Sequence, residues 1–403
     1  MPEITTFNSS EDELPQNRLL SLDMFRGLVL ALLLLEAANY GWQHHIGAAY
    51  PDSWLARFVE FHATHVPWVG FSLWDLIQPA FLFMVGVSMA FSFAKRARMG
   101  DRNGDLAVHA LIRSLILIFL GIFLRSIHSE STNWTFEDVL TQIGLGYFFV
   151  YLMWQKWWRI QAVTALVVLF LYWLMFVIWP VPENVDWAIA AGDGWKTPLE
   201  GFAAHWNKNV NPAHHFDVWF LNGFPRSEPF VANEGGYQTL NFIPAFVTML
   251  FGLMTGEYLR EEQKGWAIPK FLCFLGVIGM LVGVLLALGP CPMVKRIWTP
   301  SWTIFSAGAC LVGLASLYGM VELLNWRTIA RPFRVLGMNS IVIYVMCWTV
   351  APWLNQMLKI HFGENYGNWF GAPFQPLIEN IIVLIVIWLI AWWMYRRRIF
   401  LRI

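Results

Sequence analysis

The sequence predicts an all-α protein, a polytopic bundle of about ten membrane-spanning helices. Composition is the first reason: 57% of the 403 residues are hydrophobic and only 13% are charged. Soluble globular chains are about half apolar and about a quarter charged. The second reason is that apolar runs of about 20 residues, long enough to cross about 30 Å of hydrocarbon, recur along the chain.

Each of these runs is a predicted span. They cover residues 20–40, 71–94, 106–127, 137–155, 160–180, 239–260, 268–288, 301–324, 333–355 and 376–396. Together they are expected to form one transmembrane domain, residues 18–403, behind a cytoplasmic tail, residues 1–17. That tail is polar and acidic, and it lacks the basic start of a cleavable signal peptide.

Charge distribution predicts the orientation. Net charge is zero and therefore identifies no partner, and no nucleic-acid partner is predicted. If the spans alternate, most of the 27 lysines and arginines lie on the side of Met1. Because basic residues concentrate on the cytoplasmic side, both termini are predicted to be cytoplasmic.

Two longer segments, 41–70 and 181–238, would then lie on the outer side. Both are rich in aromatic residues, which predicts a folded lid over the bundle rather than a disordered spacer. Of the four cysteines, only Cys291 would lie in an outer loop, so no internal disulfide is predicted.

Polar residues cluster where the first two spans reach the outer surface. Asp75 and Gln78 share one face of the second span, and Glu36 and Asn39 share one face of the first. Polar groups at this depth usually face a water-filled cavity or a partner. His65 lies between the two spans; it is either an interfacial hydrogen-bonding residue or a general base or nucleophile. The clustering favours a functional site.

Four further residues have an ordinary and a functional interpretation. Lys295 and Arg296 either anchor to lipid headgroups or contact an anionic group of a substrate. Glu234 either orients a sugar hydroxyl or amine, or caps the helix that follows it. Asn339 either contacts substrate or links two helices by a hydrogen bond within the membrane.

The spacing of His62 and His65 is compatible with metal binding. Zinc needs three or four ligands in a defined arrangement. His214, His215 and Asp217 could complete such a set, but nothing in their spacing requires it. No metal site is therefore predicted.

Several motifs resemble those of the transmembrane acetyltransferases related to heparan-α-glucosaminide N-acetyltransferase. They are RLLSLDMFRGL, HVPWVGFSLWDLIQPAFLFMVGVSM, TQIGLGYFFVY, EGGYQTLNFIPAFVTMLFGLMTGEYL, VKRIWTPSW, GMNSIVIYV and YRRRIFLRI. The resemblance covers nearly all of the chain from Arg18 onward. It implies a protein that moves an acetyl group from acetyl-CoA across a membrane onto the amine of a terminal glucosamine. The lumenal region that precedes these motifs in the lysosomal enzyme is missing here, which resembles a bacterial member.

The resemblance also implies site residues. The family's active-site histidine matches His65 in HVPWVG, and an implicated asparagine matches Asn39 in AANY. Trp68 and Trp298, in HVPWVG and VKRIWTPSW, are carried over as substrate-binding residues. Val69 stands where the lysosomal enzyme has an asparagine, a departure that bears on sugar specificity.

Acetyl-CoA is the expected co-substrate, and its phosphates need basic partners near the inner mouth of the bundle. The candidates are Arg26, Arg113, Lys270, Arg331 and Arg334. The thioester would reach His65, which either deprotonates the acceptor ammonium or is transiently acetylated. Asn39 or Gln78 would donate to the oxyanion. Glu36 or Asp75 would hold the imidazole or bind the sugar amine.

Two rival functions remain open at this point. A carrier for an amino sugar such as N-acetylglucosamine would also need polar residues among many helices, although the sequence shows no pair of related halves. A membrane O-acyltransferase is the other, but that family has a histidine at the outer end of the first helix, where this chain has Asn39. The acceptor, an amino sugar or glycan end, is not fixed further, and a homodimer is implied by analogy alone.

Overall fold

The computed structural model describes residues 19–191, 198–262 and 264–401, so the predicted tail, residues 1–17, lies outside the described residues. Within these ranges the ordered elements are helical, which confirms the all-α class. The α-helices are α1 (Leu20–Ala37), α2 (Trp42–Ala49), α3 (Trp54–His62), α4 (Ile77–Arg98), α5 (Asn103–Ser126), α6 (Val139–Met153), α7 (Trp158–Val177), α8 (Trp187–Ala191), α9 (Pro212–Leu221), α10 (Phe242–Glu261), α11 (Ala267–Ala287), α12 (Pro300–Tyr318), α13 (Arg327–Met338), α14 (Ser340–Trp348), α15 (Val350–Phe362) and α16 (Gln375–Arg396).

Fewer helices than the ten predicted are both long enough and apolar enough to span a membrane, in the described residues. Among the described residues, seven helices are long and apolar enough to cross a membrane, or eight if the bent pair α13 and α14 counts as one span. Of the remaining predicted runs, α1 carries Asp23, Arg26 and Glu36, and α6 is only 15 residues long. The ninth run is broken by a 71° bend between α13 and α14. The architecture of a multi-pass membrane protein is confirmed, but the count of ten spans is not.

Glycines allow the central helices to pack with their backbones in contact. A Cβ atom on Gly86 of α4 would lie 1.9 Å from the carbonyl oxygen of Met249 in α10. One on Gly252 of α10 would lie 2.0 Å from the carbonyl oxygen of Phe83. Small residues at such interfaces allow the close packing that stabilises helix pairs in membranes. The α4–α10 pair therefore supports the segment that carries Asp75, immediately before α4.

The two long segments between predicted spans, residues 41–70 and 181–238, contain short helices in their described parts. The first contains α2 and α3; the second contains α8, a 3-10 helix (Gly201–Trp206) and α9, with residues 192–197 outside the described residues. Trp68 and Trp206 are buried together, and the indole Nε1 of Trp68 donates to the carbonyl oxygen of Trp206 at 2.9 Å.

The segment between α11 and α12 lies against the residues that follow His65. Val69 and Val294 form an isolated antiparallel bridge, and the backbone N–H of Gly70 donates to the carbonyl oxygen of Met293 at 2.9 Å. Trp298 adopts a left-handed conformation, with φ at 46°, and its Nε1 donates to Thr248 Oγ1 at 3.2 Å. This turn directs Lys295 toward His65.

Candidate functional site

Three ionisable side chains meet at the N-terminal end of α4. His65 Nδ1 lies 2.8 Å from Asp75 Oδ1, and Lys295 Nζ lies 3.1 Å from His65 Nδ1 and 3.2 Å from Asp75 Oδ1. The side chains of Asp75 and Lys295 are 0% and 4% exposed, whereas that of His65 is 27% exposed. Only the imidazole of this triad is therefore substantially open to solvent.

The carboxylate of Asp75 is held by neutral donors as well. Its Oδ2 accepts from the backbone N–H of Ser72 at 3.0 Å, from Ser72 Oγ at 3.1 Å and from the backbone N–H of Val66 at 3.4 Å. Ser72 begins the turn that leads into α4, and Val66 directly follows His65. A buried carboxylate needs such donors to offset its loss of hydration. The same bonds fix the carboxylate in one orientation relative to the imidazole.

His65 is expected to be uncharged near neutral pH. Burial lowers the pKa of its imidazole, and the Lys295 ammonium lowers it further, while Asp75 acts in the opposite direction. In the tautomer whose Nδ1–H donates to Asp75 Oδ1, Nε2 is the ring nitrogen that carries a free electron pair. An oriented neutral imidazole of this kind serves as a general base or a nucleophile.

Glu36 reaches the same site from α1. Its Oε2 accepts from Nε1 of Trp74 at 2.5 Å, and Trp74 immediately precedes Asp75. Glu36 also lies within electrostatic range of Lys295 and of Tyr40, which is itself within range of Arg296. Glu36, half-buried, therefore adds a carboxylate beside the His65 triad.

A cavity of about 430 Å³ lies near the triad without being lined by it, and Lys295 Nζ is 6.0 Å from the centroid of the Tyr237 ring in the cavity wall. Tyr237 forms part of its wall, and the Arg296 guanidinium lies over that ring, with Cζ 5.4 Å from the ring centroid. Arg296 also donates from Nη1 to the carbonyl oxygen of Gly235 at 2.6 Å, so it ties the cavity wall to the triad. The polar residues that line the cavity are Arg125, Asn133, Thr135, Glu137, Arg226, Asn233, Glu234 and Tyr237.

Asn39 belongs to a second polar cluster at the outer end of α1. Its Nδ2 donates to Glu379 Oε2 at 2.9 Å, and its backbone N–H donates to Asn380 Oδ1 at 2.9 Å. Glu379, on α16, is fully buried, and it also contacts Lys359 Nζ at 3.5 Å. The sequence contained a signal for this cluster that was missed, because Glu379 begins an otherwise apolar run.

Two predicted site residues support the backbone instead of facing the outer cavity. Trp298 is 1% exposed and bonds Thr248, as described above. Asn339, fully buried at the break between α13 and α14, donates from Nδ2 to the carbonyl oxygen of Ile399 at 3.0 Å and accepts from the backbone N–H of Leu401 at 3.1 Å. Their assignment as substrate-binding residues finds no support in these positions. Gln78 is half-buried about one helical turn after Asp75.

A second cavity, of about 700 Å³, follows α4 toward its other end. It is lined from Phe81 of α4 to Met99, the residue that follows α4, a distance of about 27 Å at 1.5 Å per residue. Arg26 and Arg113 line it as well, and Arg113 Nε is buried with no hydrogen-bond partner in the described residues. It is also lined by Lys95, Arg96 and His109, which are not among the predicted candidates, and by Asp101, whose Oδ2 lies 2.7 Å from Arg96 Nε.

The other three basic candidates lie elsewhere. Lys270 and Arg331 are exposed, and neither lines this cavity. Arg334 lies over the ring of Tyr395, with Cζ 5.6 Å from the centroid, and is also absent from the cavity wall. The sequence predicted all five residues only from their positive charge near one membrane face. Charge alone does not distinguish Arg26 and Arg113, which line the cavity, from the other three, which do not.

The His62–His65 pair does not converge on one point. The ring of His62 packs against those of Phe58 and Phe61, at centroid distances of 4.5 Å and 4.9 Å, whereas His65 contacts Asp75. Within the described part of the chain, no group of three or more His, Cys, Asp or Glu side chains is arranged to hold a metal ion.

Sequence comparison finds distant relatives that match along nearly the whole chain. Heparan-alpha-glucosaminide N-acetyltransferase of Mus musculus is 25% identical over 435 residues, which cover 96% of this chain and 61% of the mouse protein. The protein of the same name from Homo sapiens is 24% identical over 433 residues, with 96% and 60% covered. This chain therefore spans about three fifths of the length of these relatives. No family model matches the chain.

Proposed function

We propose that this chain is a membrane acetyltransferase that moves an acetyl group from cytosolic acetyl-CoA to the amine of an amino sugar on the outer side, with His65 as the reacting base or nucleophile. The observation that carries the proposal is the buried Asp75–His65–Lys295 triad at one end of α4, with a basic cavity along the same helix. The distant similarity to N-acetyltransferases supports this class of reaction.

Acetyl-CoA would occupy the cavity along α4. Its phosphates would pair with Arg26, Arg113, Lys95 and Arg96, since guanidinium and ammonium groups are the usual partners of phosphate. The pantetheine arm would extend toward Phe81, where the cavity ends. Phe81 lies six residues from Asp75, about 9 Å along the helix axis. The thioester would thus approach the triad from the membrane interior.

The chemistry follows from the uncharged imidazole. In direct transfer, Nε2 of His65 accepts a proton from the amine as its nitrogen attacks the thioester carbonyl. A C–N bond forms, the C–S bond breaks, and the proton passes to the departing thiolate. In the two-step form, Nε2 attacks the thioester carbonyl, the C–S bond breaks and CoA leaves as the thiolate; the amine then takes the acetyl group from Nε2, and the proton that the amine loses passes to the thiolate. In both forms Asp75 keeps the proton on Nδ1 and stabilises the positive charge that develops on the ring.

The outer cavity is the proposed acceptor site. Glu36 would attract the ammonium form of the amine to the triad, and Glu234 would contact sugar hydroxyls from the cavity wall. Gln78 is the better placed oxyanion donor of the two predicted, because the Nδ2 of Asn39 is already bonded to Glu379. The catalytic role of Asn39 remains a prediction.

We place the protein in a bacterial plasma membrane with both termini in the cytoplasm. The bias of lysine and arginine toward one side supports this orientation. The basic cavity would then open toward the cytosol, where acetyl-CoA is made, and the His65 triad would lie on the outer side.

The proposal is tested by giving radiolabelled acetyl-CoA and glucosamine to protein purified in detergent. Wild type should release CoA and label the amine, and His65→Ala should lose at least about 100-fold in rate, the lower range for a general base. His62→Ala is the matched control and should stay active. If no CoA is released by the wild type, and reconstituted protein instead moves labelled amino sugar intact across vesicles, the chain is a carrier.

A further inference from the structure

Lys295 has a position that the proposed reaction does not by itself explain. Building on that reaction, we propose that Lys295 is a positioning residue: it keeps the His65 imidazole uncharged and fixed in place, and thereby sets the lowest pH at which acetyl transfer runs. It acts on His65, not on the substrate.

The direction of the side chain is the first argument. Lysine in an outer loop of a membrane protein normally reaches for water or headgroups. Lys295 instead has only 4% of its side chain exposed, and its Nζ lies 3.1 Å from His65 Nδ1 and 3.2 Å from Asp75 Oδ1. An ammonium buried this way cannot anchor to a headgroup, and it offers little surface to an anionic substrate.

The backbone around Lys295 is the second argument, because several contacts hold the turn from which the side chain projects toward His65. The carbonyl oxygen of Arg296 accepts from Asn241 Nδ2 at 2.8 Å, and that of Ile297 accepts from the Tyr172 hydroxyl at 3.0 Å. The bridge between Val69 and Val294 ties the residue before Lys295 to the segment that follows His65. The ammonium and the imidazole are therefore held by one rigid unit.

The charges around the imidazole are the third argument. Asp75, before α4, supplies one negative charge, and Lys295 neutralises it across 3.2 Å. Arg296 adds a second positive charge to the field at His65, and Glu36, on α1, lies within range of Lys295. A protonated imidazole would thus face an ammonium at hydrogen-bond distance. Burial and Lys295 both lower the pKa of His65, which agrees with this geometry.

The expected result is a change in pH dependence. The rate should rise with pH as His65 loses its proton. In Lys295→Met the pKa of His65 moves upward. The rise of the rate with pH therefore occurs at higher pH than in the wild type, and activity is recovered at alkaline pH. Lys295→Arg keeps the positive charge, so its rate should rise over nearly the same pH range as that of the wild type. Lys156→Met, which removes an exposed lysine in the loop between α6 and α7, is the charge-matched control and should shift nothing.

A second readout does not require any acetyltransferase activity. Diethyl pyrocarbonate modifies the uncharged imidazole, and mass spectrometry of peptides can follow His65 alone across a pH series. Modification should begin at higher pH in Lys295→Met than in wild type, with Lys295→Gln used in the same way if the Met variant does not fold. An unchanged titration overturns the role of Lys295. A shifted titration in a protein that never transfers acetyl supports the pairing and refutes the proposed function.

Discussion

The Asp75–Lys295 ion pair makes a specific prediction about stability. In Asp75→Asn, the amide replaces a carboxylate whose oxygens accept from Ser72 and Val66 on one side and face His65 and Lys295 on the other. Either orientation of the amide places N–H donors against other donors. The variant also leaves the buried ammonium without its counterion.

The size of the effect can be worked from the geometry. Two unit charges 3.2 Å apart attract by about 5 kcal/mol at an effective dielectric constant of about 20. Desolvation of both groups cancels part of this attraction, and removing one member of a buried pair typically costs about 3–5 kcal/mol. Lys295→Met should cost less than Asp75→Asn, because the carboxylate retains its bonds from Ser72 and Val66.

A double-mutant cycle measures this coupling. We expect Asp75→Asn/Lys295→Met to unfold in detergent at a higher temperature than Asp75→Asn alone, because the second change removes the unpaired charge. The interaction free energy should be about 2–3 kcal/mol. If the double variant instead loses the sum of the two single effects, the side chains do not form a buried ion pair and the description of the triad is wrong.

Three further predictions concern other parts of the molecule. Arg113→Gln should weaken CoA binding by about tenfold or more, the loss expected for one charge-assisted bond, whereas Lys270→Gln should leave it unchanged in calorimetry. Burial raises the pKa of Asp217 to about 7. Its uncharged form stabilises the fold fully below the unfolded pKa of about 4, and this contribution is lost as pH rises through 7. The unfolding temperature of the wild type should therefore fall between about pH 4 and about pH 7, and Asp217→Asn should reduce that fall; an unchanged slope would contradict the burial argument. Gly86→Ala should destabilise by about 1–3 kcal/mol because its Cβ would meet the carbonyl oxygen of Met249, whereas Gly104→Ala, with nothing within 4 Å, should be neutral or stabilising in the same thermal assay.

Much of the outer site could be predicted from sequence because its residues are close along the chain. His65 and Asp75 are ten residues apart and flank the start of one apolar run. Glu36 interrupts the run before it. The cost of polar groups near the bilayer identifies all three residues without knowledge of the fold.

The remaining features depend on contacts between distant segments. In the sequence, Lys295 has the pattern of an exposed basic residue. Its side chain points inward because the segment that carries it packs against Val69 and Gly70. The partner of Asn39 is Glu379, 340 residues away in sequence. Hydropathy shows how long an apolar segment is, but it does not show whether the helix axis bends. It therefore predicts one continuous span where the structure has a break at Asn339.

The most direct test of the account asks whether the acetyl group crosses the membrane. Sealed vesicles would contain the protein with radiolabelled acetyl-CoA trapped inside, and an oligosaccharide ending in glucosamine, too large to cross, would be added outside. The account predicts label on the external amine with the wild type and none with His65→Ala, while CoA stays inside. Label that reaches the sugar only after detergent mixes the two compartments would contradict transfer between the basic cavity and the outer triad.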